Sequence, residues 1–160
     1  MNRWRGIVPL ACILFLGSAA WSQPTGVRLP HACDVLTEGD AQYVFGKGAR
    51  LFRSGSNCNI QPEDNKFLTL GVIEASMGFL NDQSWAATKR LMMMSPTMSA
   101  KQVNDLGDDA LVIFYKKRVV SLSLHIKKGA TIVRVSGLYT DFGTREDIIR
   151  YIGERLIAGM

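Results

Sequence analysis

Apolar and polar positions follow two periods along this chain, and the switches between them mark its elements. Thr37-Glu38-Gly39-Asp40 opens a helical pattern, in which Thr37 can cap and the acids face the positive end of the helix dipole. Ala41, Val44 and Phe45 carry its apolar spacing, and Gly46 and Gly48 stop it. Arg50–Arg53 and Cys58–Gln61 read as short extended pieces around a Ser54-Gly55-Ser56-Asn57 turn. From Phe67 to Ser76 the period is two: Leu68, Leu70 and Val72 alternate with Thr69, Gly71 and Ile73, which predicts a strand. Asn81-Asp82 then caps a helix over Gln83–Met94, with Trp85, Thr88, Leu91 and Met92 at helical spacing and Pro96 beyond its end. Val103–Gly107 leads into a turn at Gly107-Asp108-Asp109.

Three strands follow in quick succession: Ala110–Tyr115, Val119–Lys127 and Thr131–Leu138. The turns between them, Lys116-Lys117-Arg118 and Lys128-Gly129, are too short for anything but hairpins, so this part of the sheet is antiparallel. In the middle strand Val120, Leu122, Leu124 and Ile126 point one way, and Ser121, Ser123, His125 and Lys127 the other. That pattern predicts one buried and one solvated face. Thr144-Arg145-Glu146-Asp147 caps a last helix, whose apolar stripe is Ile148, Ile149, Ile152 and Leu156, with Arg150, Glu154 and Arg155 opposite. Helix, strands, helix, three strands, helix is an α+β order: an antiparallel sheet with a C-terminal three-strand meander, covered mainly on one face by about three helices.

The amino end follows a different logic. Arg3 and Arg5 precede an apolar run from Ile7 to Leu16, followed by Gly17, Ser18, Ala19, Ala20, Trp21 and Ser22. A basic start, a short apolar stretch and small residues at the exit are the three parts of a secretory signal. Residues 1–22 are therefore expected to be a signal peptide, with Ala20 and Ser22 placing the cut before Gln23 and a cut before Trp21 as the alternative. The run is shorter than the roughly 20 apolar residues of a membrane span. Cys12 sits inside the run and not after it, which disfavours a lipidated cysteine. Residues 23–30 then read as a flexible mature N-terminus and 31–160 as a single α+β domain.

Export changes the meaning of the two remaining cysteines. In an oxidising compartment Cys33 and Cys58 read as one disulfide, since neither a Cys-x-x-Cys spacing nor a neighbouring ligand set points to redox or metal chemistry. The whole chain carries a formal charge of +5, of which Arg3 and Arg5 leave with the leader. The remaining balance is too mild for a nucleic-acid binder. The basic turns Lys116-Lys117-Arg118 and Lys127-Lys128 lie at opposite ends of one strand, about 30 Å apart, and cannot form one patch.

Cys33-Asp34-Val35-Leu36-Thr37-Glu38-Gly39-Asp40-Ala41, Gly46, Cys58 and Asp105-Leu106-Gly107-Asp108-Asp109-Ala110 together resemble a group of small exported bacterial domains. In that group a cysteine precedes a "leu-thr-x-x-asp-ala" helix, a second cysteine lies on a strand, and a "gly-x-gly-asp-x-ala"-like turn precedes a hairpin. Asp105 stands here where the turn often has its first glycine. The group is similar in fold to PsbP-like extrinsic photosystem proteins and to the extracellular sensor domains of some mycobacterial kinases. The resemblance implies a Cys33–Cys58 disulfide and a binding, sensing or scaffolding role outside the cytoplasm, and it implies no catalytic residues.

Candidate chemistry is sparse. Ser121, Ser123, His125 and, from the next strand, Arg134 share one face and form a possible ligand face. Histidine beside serine also suggests hydrolysis, but nucleophilic catalysis needs an orienting acid and an oxyanion hole as well. Met92, Met93, Met94 and Met98 are soft ligands suited to Cu(I), although methionine equally fills irregular core gaps. Asp105, Asp108 and Asp109 lack the spacing of a calcium loop, and His31 reads as exposed. The expectation is an exported, non-enzymatic binding module with no cofactor. Its partner is a protein or small ligand outside the cytoplasm, with no nucleic acid, and it meets a membrane only through the uncleaved leader. A hydrolase working through His125 and a copper handler are the alternatives.

Overall fold

The computed structural model describes residues 28–63, 71–115, 120–138 and 145–160, without the side chains of residues 120, 121 and 138. The expected leader, the first part of the Phe67–Ser76 strand, the Lys116–Arg118 turn and Thr144 lie outside the described residues. The elements, in order, are α1 (Ala32–Val35), α2 (Glu38–Phe45), β1 (Arg50–Ser54), β2 (Asn57–Gln61), β3 (Val72–Phe79), α3 (Asp82–Met94), β4 (Met98–Val103), β5 (Asp109–Tyr115), β6 (Val120–Lys128), β7 (Thr131–Leu138) and α4 (Glu146–Ala158). Among the described residues seven strands form one sheet, ordered β1-β2-β3-β7-β6-β5-β4, and every neighbouring pair is antiparallel. The C-terminal meander β5-β6-β7 lies inside it, and the class is α+β as the pattern implies.

The main core lies on the face of α1, α2 and α4. Ile148, Ile149, Ile152 and Leu156 of α4 are fully buried with Ile60, Ile73, Ala75, Val112, Leu122, Leu124, Ile126, Val133 and Val135 of the sheet. Gly153 lets α4 approach closely: a Cβ there would lie 2.6 Å from Ile126 Cδ1 and 3.0 Å from Leu124 Cδ2. Asp40 ties α2 to α4. Its carboxylate accepts from the Thr37 N–H and hydroxyl, both at 2.7 Å, completing the expected cap as a capping box. It also accepts from the Tyr151 hydroxyl at 2.7 Å and from Arg155 Nε at 3.0 Å. Burial acts to raise its pKa, but hydrogen bonds from Tyr151 and Thr37 and the charge of Arg155 hold it below the usual carboxylate value. This buried, multiply bonded tie contributes more than the exposed Arg150–Glu154 pair on the same helix, whose kind is worth about 0–1 kcal/mol.

α3 covers the opposite face. Trp85 is buried, and its Nε1 donates to Asp109 Oδ2 at 2.9 Å. Lys89 Nζ reaches the same carboxylate at 2.9 Å, and Asp82 pairs with Lys127 at 2.7 Å. Asp109 and Lys127 belong to the odd-numbered face of β5 and β6, away from Val112 and Ile126. Leu111, Ile113, Ser123, His125 and Lys127 are buried on this second face. The expected solvated face of the middle strand is corrected by this finding.

Four further differences follow from tertiary placement. Leu91 is 73% exposed and not part of the inward stripe; it lies six residues on, about 120° round the helix from Trp85. β4 is a strand that the pattern does not predict, because Met98–Val103 is a largely exposed edge strand with weak alternation. β3 runs on to Phe79 and turns Ile73 and Ala75 to the core, a parity that alternation among apolar residues could not choose. The last helix starts at Glu146, and its N-cap residue Arg145 makes no side-chain cap bond.

The acidic turn before β5 is a structural latch. Gly107 adopts φ +66°, and a Cβ there would lie 2.5 Å from the Lys127 carbonyl oxygen, so glycine is required. The Asp108 N–H donates to that same oxygen at 2.8 Å, while Asp108 Oδ2 accepts from the Gly129 N–H at 2.6 Å. With Asp109 held by Lys89 and Trp85, these carboxylates are already engaged by protein donors. Among the described residues no group of three or more His, Cys, Asp or Glu side chains is placed to hold a metal ion, and no helix is long and apolar enough to cross a membrane.

Candidate functional site

Among the described residues two separate places are candidate sites. The first is on β6. Strand alternation puts Ser123 and His125 on one face, and the hairpin register sets Ser136 opposite Ser123 and Arg134 opposite His125. The three short side chains form a chain: Ser123 Oγ lies 2.9 Å from His125 Nε2 and 2.9 Å from Ser136 Oγ. Ser123 is 1% exposed and His125 6%. Burial first, and the neighbouring Arg134 charge second, push the imidazole pKa down to about 4, so the ring is neutral at pH 7. Arg134 itself is exposed, and the Ser121 side chain lies outside the described residues.

A neutral histidine hydrogen-bonded to a serine is half of a hydrolytic site. The other half must let a carbonyl reach the hydroxyl, and here that hydroxyl is enclosed and shared with a second serine. The arrangement does what a satisfied polar core does: it places buried hydroxyls and an imidazole where each has a partner.

The second place is a cleft of about 590 Å³ on the other side of the molecule's chemistry, away from His125. It is lined by Arg28, Leu29, Pro30, His31, Ala32 and Asp34 from the N-terminal segment and α1, by Arg53 and Ser56 from the β1–β2 hairpin, and by Met77 from β3. Its size is in the range of small-ligand sites. The Cys33–Cys58 disulfide, 5.1 Å between Cα atoms, holds the two walls together. His31 adds a second clasp. Its Nδ1 accepts from the Cys33 N–H at 3.1 Å, while Nε2, 3.0 Å from the Gly55 carbonyl oxygen, must be the protonated nitrogen that donates to it. His31 is therefore a helix cap and a hairpin tether, not the exposed side chain expected of it. Asp34 closes the set, accepting from Arg53 across the cleft and from the His31 N–H at 3.3 Å.

No family model, curated protein or solved structure matches the chain. The cleft is thus read from its own residues. Apart from Asp34, which follows the first cysteine of the motif above, its lining residues carry no motif signal. One signal was present: a Cys33–Cys58 bond necessarily sets residues 31–34 beside residues 53–58. That Arg28, Leu29, Pro30 and Met77 line the same cleft, no local pattern announces.

Met92, Met93 and Met94 end α3, where successive side chains point about 100° apart, and Met98 opens β4 across the turn. Met93 and Met94 are 57% and 69% exposed, so these two do not fill core gaps.

Proposed function

We propose that this domain is an exported binding module whose ligand enters the cleft beside the disulfide. The single observation that carries the proposal is a ligand-sized concavity whose two walls are clamped by a covalent bond and by His31. A site clamped in the free state loses little conformational freedom on binding, which favours affinity. The disulfide accords with an oxidising compartment, and the leader-like residues 1–22 supply the route to one. The motif resemblance of residues 33–41, 58 and 105–110 to small exported domains supports the same reading.

The test uses the oxidised mature chain. Amide shifts recorded against a mixed library of peptides and small acids, amines and sugars are expected to move Arg28, Ala32, Asp34, Arg53 and Ser56 together. Ser56 is exposed on the cleft rim, so Ser56→Trp should fill the opening without unfolding the domain and weaken any hit at least tenfold. Hits that shift only other regions, or that ignore Ser56→Trp, count against the cleft.

The Ser123–His125 contact favours a second reading, ester or amide hydrolysis on the β6 face. It requires the enclosed Ser123 hydroxyl to become accessible. Incubation with a fluorophosphonate probe is expected to leave Ser123 unlabelled; labelling that vanishes in Ser123→Ala would revive the enzyme.

A further inference from the structure

The lining of the cleft says what class of ligand it takes. The cleft holds two guanidinium groups, Arg28 and Arg53, and one carboxylate, Asp34. Asp34 is already paired with Arg53. Among the described residues Arg28 has no carboxylate partner, so the cleft carries one surplus positive charge. Leu29, Pro30, Ala32 and Met77 make the rest of the lining largely apolar. Two guanidinium groups lining one cleft, only one of them paired with Asp34, offer several N–H donors of the kind suited to a carboxylate. Resting on the cleft reading above, we infer that the ligand is an amphipathic monoanion: a terminal carboxylate held between Arg28 and Arg53, with an adjoining aliphatic group laid over Met77 and Pro30.

The charge count excludes other classes. A cationic ligand would face an uncompensated arginine. A dianion or polyphosphate would meet one surplus cation and the Asp34 carboxylate at once. A purely apolar ligand would leave Arg28 to be desolvated without a partner, which costs free energy.

The experiment compares two probes that differ only in the charged group, N-acetyl-leucine and N-acetyl-leucinamide, titrated into the oxidised mature chain and followed by amide shifts. The acid is expected to bind roughly tenfold more tightly than the amide, the scale of one charge-assisted hydrogen bond. Arg28→Gln should bring the acid down to the amide without moving the amide. Arg28→Lys should keep part of the preference. A tripeptide ending in leucine that binds more tightly than N-acetyl-leucine would identify the source as a polypeptide C-terminus, and equal binding a free small acid. Equal binding of acid and amide at the cleft overturns the carboxylate inference but leaves the cleft as a site. Shifts confined to surface lysines elsewhere overturn the inference as well. If neither probe moves any cleft residue, both the inference and the cleft reading fall.

Discussion

Reduction of the Cys33–Cys58 bond is expected to lower the unfolding free energy by about 3 kcal/mol, the chain-entropy value for a cross-link spanning 25 residues. A domain of this size has only about 5–15 kcal/mol to lose. The effect should exceed that of any exposed ion pair in the molecule, because those are worth at most about 1 kcal/mol each. Urea unfolding of the oxidised and the reduced protein measures it directly. Cys33→Ala in the presence of reductant gives the same reference state without a thiol at the half-buried end of the pair. Cys58→Ala should cost more, since Cys58 is 0% exposed in the core and its sulfur leaves a gap. The loss should not be confined to global stability. His31, Ala32 and Asp34 reach the hairpin through this bond, so hydrogen exchange in α1 and at Gly55 should accelerate before the β5–β7 meander is affected. Coincident unfolding curves with and without reductant would refute a stabilising bridge.

Acidification from pH 7 to pH 4 is expected to remove a further share of about 3 kcal/mol through His125 alone. In the folded protein burial, and then Arg134, hold its pKa at about 4, while the unfolded side chain titrates near 6.5. The unfolded state therefore takes up a proton across that interval and the folded state does not. Stability is fully present above pH 6.5, falls as pH drops through the interval, and levels off below about 4; two and a half pH units at about 1.4 kcal/mol each set the size. Carboxylates act in a lower window. Asp40 and Asp109 have depressed pKa values despite burial, which opposes the shift; Asp40 is held down by Tyr151, Thr37 and Arg155, and Asp109 by Lys89 and Trp85. Their contribution is present above the ordinary carboxylate value of 3.8 and is lost as pH falls through their folded values. Unfolding free energies at pH 7.5, 6, 5 and 4 separate the two, and His125→Gln should flatten the upper part of the curve. An unchanged stability between pH 7 and pH 5 would mean that the imidazole is not enclosed as described.

The elements with strong local signals were legible. Thr37 with Asp40, Asn81 with Ser84, the Gly55 turn and the hairpin at Gly129 are settled by neighbours a few residues apart, and each stands where its signal puts it. The disulfide was legible for another reason: two cysteines allow one pairing. The weak edge strand β4 and the four-residue α1 were not legible, because neither repeats a period long enough to read.

Taken by itself, the sequence determined the α+β class, the meander and the buried stripe of α4, all consequences of apolar period and short turns. Tertiary structure alone decided that α3 crosses to the other face of the sheet. On that same second face Ser123, His125 and Ser136 lie buried, where the alternation of β6 alone reads as a solvated surface. It also took tertiary structure to bring Arg28, Arg53 and Met77 around one cleft. The physical reason is common to both. Periodicity records which side chains of one element share a face, whereas what lies against that face depends on residues distant in the chain.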